Sequence, residues 1–234
     1  KPVSMGSYDY SANNVVNFHM IHCTMNHITD RTRWGVIGSN FCKHILLEDC
    51  ILSRMDTHMG VSGGYVIRRC TLGWMGLNAI GRGRLLVEDS TLYGRSLVNF
   101  RQGYGSTWEG DLVIRNCRWI PASGETTWPH MISVRNDGMH DFGYPCSMPE
   151  EVTIDGLFVD DSNHPEDYQG MYLFTDPDDI YDGVEEIKPA AERPFPYQVC
   201  KRVRIQGLET ASGLKPQLSP SEVIRANTAV IRED

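Results

Sequence analysis

A short apolar pattern recurs along the chain and constrains its fold more than any other feature. It reads apolar, any, apolar, any, any, small or apolar, any, apolar, and its small member falls at Cys23, Cys50, Cys70, Ser90, Cys117, Leu157 and Leu208. Apolar residues alternate on both sides of one phase slip, as in two short β-strands joined by a bend and unlike a helix. Two of the spacings are 20 residues, and the others are longer by seven or more. The repeat therefore predicts a β-solenoid whose extra residues form loops.

The repeat also sets the expected domain organisation. We predict an all-β fold, a right-handed parallel β-helix of stacked three-strand coils, as a single domain over residues 1–234. Regular coils are expected over 13–120, coils with long loop insertions over 121–211, and a terminal segment over 212–234. Because the chain begins with a lysine and not with Met, we expect it to be a fragment of a longer protein.

Charge and composition exclude several classes of function. The net charge is −8 and no basic stripe is present, so we expect no nucleic-acid partner. No apolar window is long enough to predict insertion into a membrane. The seven cysteines contain no CxxC pair, so we predict neither disulfides nor a zinc site, and the cysteines of the repeat form an inward stack of small thiols. The acidic run at 176–186 could bind Ca²⁺ but lacks the spacing of a known calcium loop, so we predict no cofactor.

The coil pattern resembles that of the pectin-lyase-like superfamily of right-handed parallel β-helices, well over residues 13–120 and loosely over 150–210. The phrases DRTRWG, SRMDTHMG, YGSTWEG and HDFGY are similar to those of uncharacterised β-helix proteins of bacteria and their phages. The resemblance implies a protein that acts on a polysaccharide or a cell-surface glycan, is extracellular, cell-surface or virion-associated, and is a monomer or a homotrimer. It does not select a reaction, because this fold carries lyases, hydrolases, esterases, epimerases and non-catalytic adhesins.

The densest polar phrase, residues 54–58, is the first candidate for catalytic chemistry. Strand alternation places Arg54, Asp56 and His58 on one side of the chain. A carboxylate beside a histidine can orient its ring and tune its pKa, as a general base requires. The alternative is a network of salt bridges and hydrogen bonds that holds a turn.

A second row of alternating residues runs between the copies of the first and predicts a further strand per coil. In this row Arg101 takes a position that glycines hold in preceding coils. These glycines are Gly38, Gly63 and Gly81. The space left by the missing side chains of these glycines would let the guanidinium of Arg101 reach a substrate carboxylate or an oxyanion. The alternative is that Arg101 pairs with Glu109 or Asp111 and braces its own loop.

Other polar and aromatic residues complete the candidate site. Glu109 is the best carboxylate partner of Asp56 in an acid–base pair, and the residues expected to contact the glycan are Arg54, Asn78, Asn99, Tyr104, Trp108, Asn136 and His140. Tyr104 and Trp108 lie in a glycine-rich loop that could stack on a sugar, although Trp108 taken alone is better explained as a plug that closes the core under the loop. Asn136 and His140 belong to a second polar cluster whose alternative explanation is ordinary turn formation.

Three functions remain open from the sequence, and the third is a purely structural segment of a larger protein. The first is an enzyme that cleaves or modifies a polysaccharide, either a hydrolase that uses Asp56 and Glu109 or a lyase that uses His58 and Arg101. The second is a non-catalytic glycan-binding or structural module of a phage tail or neck fibre or of a surface adhesin. Clustering of the polar residues on one solenoid face would favour the enzyme, and scattering would favour the module.

Overall fold

The computed structural model describes residues 10–25, 36–101, 107–121, 126–135, 147–177 and 198–233, with the backbone alone for 36–39, 58, 59 and 75. Within these ranges there are 18 strands and one short helix, α1 at Glu222–Asn227. The strands are β1 Tyr10–Asn13, β2 Val16–Ile21, β3 Val36–Asn40, β4 Lys43–Glu48, β5 Ile51–Met59, β6 Ser62–Arg68, β7 Thr71–Asn78, β8 Gly81–Arg82, β9 Arg84–Glu88, β10 Thr91–Leu92, β11 Val98–Asn99, β12 Trp108–Glu109, β13 Leu112–Trp119, β14 His130–Ser133, β15 Glu151–Val159, β16 Tyr172–Phe174, β17 Arg202–Thr210 and β18 Ala229–Arg232.

All described strand pairs are parallel, and 16 of the strands join one continuous sheet that winds into coils with three faces. The first face stacks β2, β4, β6, β9, β13, β15, β17 and β18. The second face stacks the starts of β5 and β7, then β10 and the ends of β13, β15 and β17. The third face stacks β1, β3, the ends of β5 and β7, then β11, β14 and β16. This architecture confirms the predicted parallel β-helix.

The phase slip of the repeat is a bend made by a single residue in the left-handed conformation. One such residue lies between the first and second faces in successive coils, at His22, Asp49, Arg69, Asp89, Asn116, Gly156 and Gly207. A residue with positive φ turns the chain sharply, so the apolar side chains on both sides of the bend can point into the same core.

The small residues that follow these bends form the predicted inward column. Cys50, Cys70, Ser90 and Cys117 are all buried and align in successive coils. Each of these side chains donates to the carbonyl oxygen two residues earlier, with Cys70 Sγ 3.2 Å from Arg68 O and Ser90 Oγ 2.6 Å from Glu88 O. Burial raises the pKa of Cys70 to about 11, as expected for an inert thiol in a dry stack.

A row of alternating charges runs along the outer side of the first face. It consists of Glu48, Arg68, Glu88, Arg115 and Asp155, one residue per coil. Arg68 Nε lies 3.0 Å from Glu88 Oε1, and Arg115 Nε lies 3.2 Å from Asp155 Oδ2. Opposite charges on neighbouring strands favour this register over its slipped alternatives.

The predicted alignment of the second row is wrong. Gly38 pairs with Asp56 and not with Gly63, whereas Gly81 pairs with Val61 and Trp108. The error arises because the corner between the second and third faces differs in length from coil to coil. Leu52 pairs with Leu72 and Arg54 pairs with Gly76, so this corner is two residues longer in β7 than in β5. Arg101 therefore does not align with a column of glycines in the neighbouring coils.

In the C-terminal half the strands still stack in the same three faces, but the connections between the strands are longer. Most of the predicted loop insertions over 121–211 fall outside the described residues. In the terminal segment, α1 is followed by β18, which pairs in register with β17 and adds a last strand to the first face. Among the described residues, none of the helices is long and apolar enough to cross a membrane.

Candidate functional site

A row of polar residues crosses the third face. Asp56, Asn78, Asn99 and Ser133 align in register in four successive coils. They alternate with residues of the hydrophobic core, which are Met55, Leu77, Val98 and Ile132. Because successive side chains of a strand point to opposite faces, the polar row lies on the outer side of the sheet. We call these four residues the polar row.

Two arginines hold the carboxylate at one end of the polar row. Arg54 Nη2 donates to Asp56 Oδ2 at 2.9 Å, and Arg101 Nη1 donates to Asp56 Oδ1 at 2.6 Å and to Oδ2 at 2.8 Å. The three side chains are only 9 %, 15 % and 5 % exposed for Arg54, Arg101 and Asp56. Ion pairs that are this shielded from water are much less screened by salt than surface pairs. We call Arg54, Asp56 and Arg101 the arginine clamp.

The backbone of Arg101 brings its guanidinium to Asp56. Arg101 follows β11 with a φ of 43°, in the left-handed region that non-glycine residues seldom adopt. Its side chain crosses the coil of β7 to reach a carboxylate 45 residues earlier in the chain. The same conformation forms the ordinary bends of the solenoid, at Arg69 and Asn116 among others, so at Arg101 it aims the side chain and is not by itself a sign of function.

The amides in the middle of the polar row bond to each other. Asn99 Nδ2 donates to Asn78 Oδ1 at 2.8 Å, and Asn78 pairs with Asp56 along the ladder. Amide side chains offer both donors and acceptors, as sugar hydroxyls require. The clamp and the amides therefore combine charged and neutral hydrogen-bonding groups on one face of the β-helix, where Asn78 and Ser133 are only 6 % and 5 % exposed.

The structure gathers five of the predicted site residues and separates others. Arg54, Asp56, Asn78, Asn99 and Arg101 lie together, although a clamp across two coils was not the predicted reason for Arg101. Glu109 is exposed on β12, which pairs only with β8 in a separate two-stranded sheet, and no described contact joins it to Asp56. Ser133 was missed because the register across the loops before β14 cannot be counted from the sequence.

The prediction that Trp108 binds sugar is wrong. Its side chain is wholly buried, its ring stacks on Phe100 at 5.9 Å, and its Nε1 donates to Gly83 O at 3.1 Å. Because no ring face is open to solvent, Trp108 is the plug that was its alternative role. The predictions for Tyr104, Asn136 and His140, and for the side chain of His58, lie outside the described residues. In the part of the chain that the structure describes, no group of three or more His, Cys, Asp or Glu residues could hold a metal ion.

Comparison with known proteins gives one relative. The chain is similar to a depolymerase of Klebsiella phage P510 that is specific for the KL64 capsule, with 30 % identity over an alignment of 94 residues. The alignment covers 36 % of this chain, and the chain spans only 9 % of the length of that relative. No protein-family model matches the chain, and no solved structure matches it.

Proposed function

We propose that this chain is a segment of a virion-associated or extracellular protein that binds and cleaves a bacterial surface polysaccharide. The observation that carries the proposal is the arginine clamp, which adjoins the amides of the polar row on one face of the β-helix. The similarity to a phage capsule depolymerase supports it, because that relative acts on a polysaccharide. The proposal requires no metal or cofactor.

The contacts of Asp56 favour one reaction over another. Its two oxygens accept three guanidinium hydrogen bonds, so Asp56 is placed to position Arg54 and Arg101. Hydrolysis by Asp56 and Glu109 is disfavoured, because Glu109 belongs to a different ladder. We therefore favour β-elimination, in which His58 removes the proton next to a sugar carboxyl group while Arg101 stabilises the enolate-like charge. The glycosidic C–O bond then breaks, and the departing oxygen takes a proton from the protonated His58 or from water, which leaves an unsaturated sugar and a new reducing end.

A non-catalytic module is the second candidate. The same polar row would serve as a binding surface alone if the arginines of the clamp only brace the face, as their contacts with Asp56 allow. In that case the β-helix would supply a rigid surface for glycan contacts in a tail or neck fibre or in an adhesin.

The test is to incubate the protein with a panel of purified capsular polysaccharides that includes the Klebsiella KL64 type. Elimination predicts new ultraviolet absorbance together with reducing ends, hydrolysis predicts reducing ends alone, and a binding module predicts affinity without either product. We expect Arg101→Lys to lower kcat/KM by roughly tenfold or more, because an ammonium cannot reproduce the planar fork of a guanidinium. Arg118→Lys is the matched control, since Arg118 is exposed on the second face and pairs with Asp160. A protein that neither binds nor cleaves any member of the panel would refute the proposal.

A further inference from the structure

Three aromatic rings lie close together on the third face, in the coils of β14 and β16. His130 and Tyr172 are the first residues of β14 and β16 and pair directly along the ladder, and Trp128 precedes β14 by two residues. The ring of Tyr172 lies 5.4 Å from His130 with an interplanar angle of 21°, and 5.9 Å from Trp128 with an angle of 14°. We call these three residues the aromatic stack.

Contacts beneath the stack fix the orientation of its largest ring. Trp128 Nε1 donates to Gly170 O at 2.9 Å, and the indole meets the ring of Tyr168 edge-on at 5.4 Å. Tyr168 is itself buried, and its hydroxyl donates to the buried Asp161 at 2.7 Å. A ring that is already held in place loses little conformational freedom when a ligand binds against it.

The side chains of the aromatic stack are partly exposed to solvent, whereas the adjacent side chains on the same strands are buried. Trp128, His130 and Tyr172 are only half-buried. The residues beside them on the same strands are 0–1 % exposed, namely Met131, Ile132, Leu173 and Phe174. Rigid aromatic rings with an apolar body and a polar edge suit a ligand that is apolar on one side and hydroxylated at its rim. The C–H face of a pyranose ring has this chemistry.

The position of the stack relates it to the arginine clamp. The ladder runs from β5 through β7 and β11 to β14, so Asp56 and the strand of His130 are three coils, or about 14 Å, apart along the solenoid. His130 also lies three residues before Ser133 on β14, which offsets the stack from the polar row by about 10 Å across the face. A polysaccharide that contacts both the clamp and the stack would therefore run obliquely over the third face.

We propose that Trp128, His130 and Tyr172 form a second contact for the polysaccharide, a platform for the C–H face of a pyranose ring. This inference rests on the proposed function, since it places another part of the same glycan chain. It gives the bound glycan a direction, because a glycan that spans both sites must run obliquely over the third face, partly along the solenoid axis and partly across it.

The test measures the affinity of wild type and variants for each polysaccharide of the panel that wild type binds. Trp128→Ala and His130→Ala should each weaken binding by roughly tenfold, whereas Trp128→Phe, which keeps a ring but loses the bond to Gly170 O, should lose less affinity than Trp128→Ala. Phe158→Ala is the matched control, because Phe158 is a half-buried ring on the second face, under Arg118 at 4.9 Å. Its affinity should not change.

The possible outcomes separate the two proposals. Thermal unfolding of each variant shows whether it folds, and if Trp128→Ala does not fold, His130→Ala decides. Folded alanine variants that bind every polysaccharide as tightly as wild type would overturn the platform and leave the proposed function standing. A wild-type protein that binds no member of the panel would overturn the proposed function, and the platform with it.

Discussion

At the scale of single residues, the charge of Asp56 is the most sensitive point of the site. Its carboxylate is 5 % exposed and bonded to two arginines that are nearly as buried. Asp56→Ala removes the shared partner of both guanidiniums, so we expect the free energy of unfolding to fall by about 3–5 kcal/mol. Asp56→Asn, which keeps one acceptor oxygen, should lose less. Urea unfolding measures both, and an alanine variant as stable as wild type would show that the clamp contributes nothing to the fold.

The same residues show how far the sequence can predict a site. The density of polar residues at 54–58 was enough to single out Arg54 and Asp56, because such groups seldom stand together beside a core without contacting each other. The partner that reaches them from two coils away depends on the register across corners of unequal length. Trp108 was assigned both as a sugar contact and as a core plug, since a tryptophan in a glycine-rich loop has the same local pattern whether its ring faces solvent or the core.

At the scale of elements, alternation and the phase slip predicted the strands and the bends between the first and second faces. These features are local, because the alternation of side chains within a window of about eight residues is enough to predict them. The conformation of the bend was not predictable from residue type, because Asp, Asn, Arg, His and Gly all take the left-handed position there. The third face was predicted less well, because the connections before it vary in length from coil to coil.

The row of alternating charges gives a prediction for the register of the first face. Glu88 lies between Arg68 and Arg115, with Nε of Arg68 at 3.0 Å and Nη1 of Arg115 at 3.6 Å. Glu88→Lys would place three cations in successive coils about 4.8 Å apart. We expect a loss of about 1–2 kcal/mol in the free energy of unfolding at low salt, and a smaller loss at high salt. Glu88→Gln, which removes the attraction without adding repulsion, should lose less and depend less on salt.

At the scale of the whole molecule, the β-helix is a one-dimensional stack in which the backbone of each coil pairs only with its neighbours, although a long side chain such as Arg101 reaches one coil further. Damage to one coil therefore removes the packing surface of the coils on both sides. The column of small residues tests this, because it runs from Cys23, which is half-buried, to Cys70, which is 2 % exposed between coils on either side. The same substitution in these two places should have different consequences.

We expect Cys70→Asp to unfold the middle coils, because a charge would enter a dry stack without a partner, whereas Cys23→Asp should disturb only the coil that carries it. Cys70→Ser is the control, since Ser90 already occupies this column and donates to a backbone carbonyl in the same way. Hydrogen exchange resolved along the chain distinguishes the cases by showing protection lost on both sides of residue 70 or only near residue 23. Equal and undiminished protection in Cys70→Asp would mean that this column faces water, and the inward stacking of the coils would then be wrong.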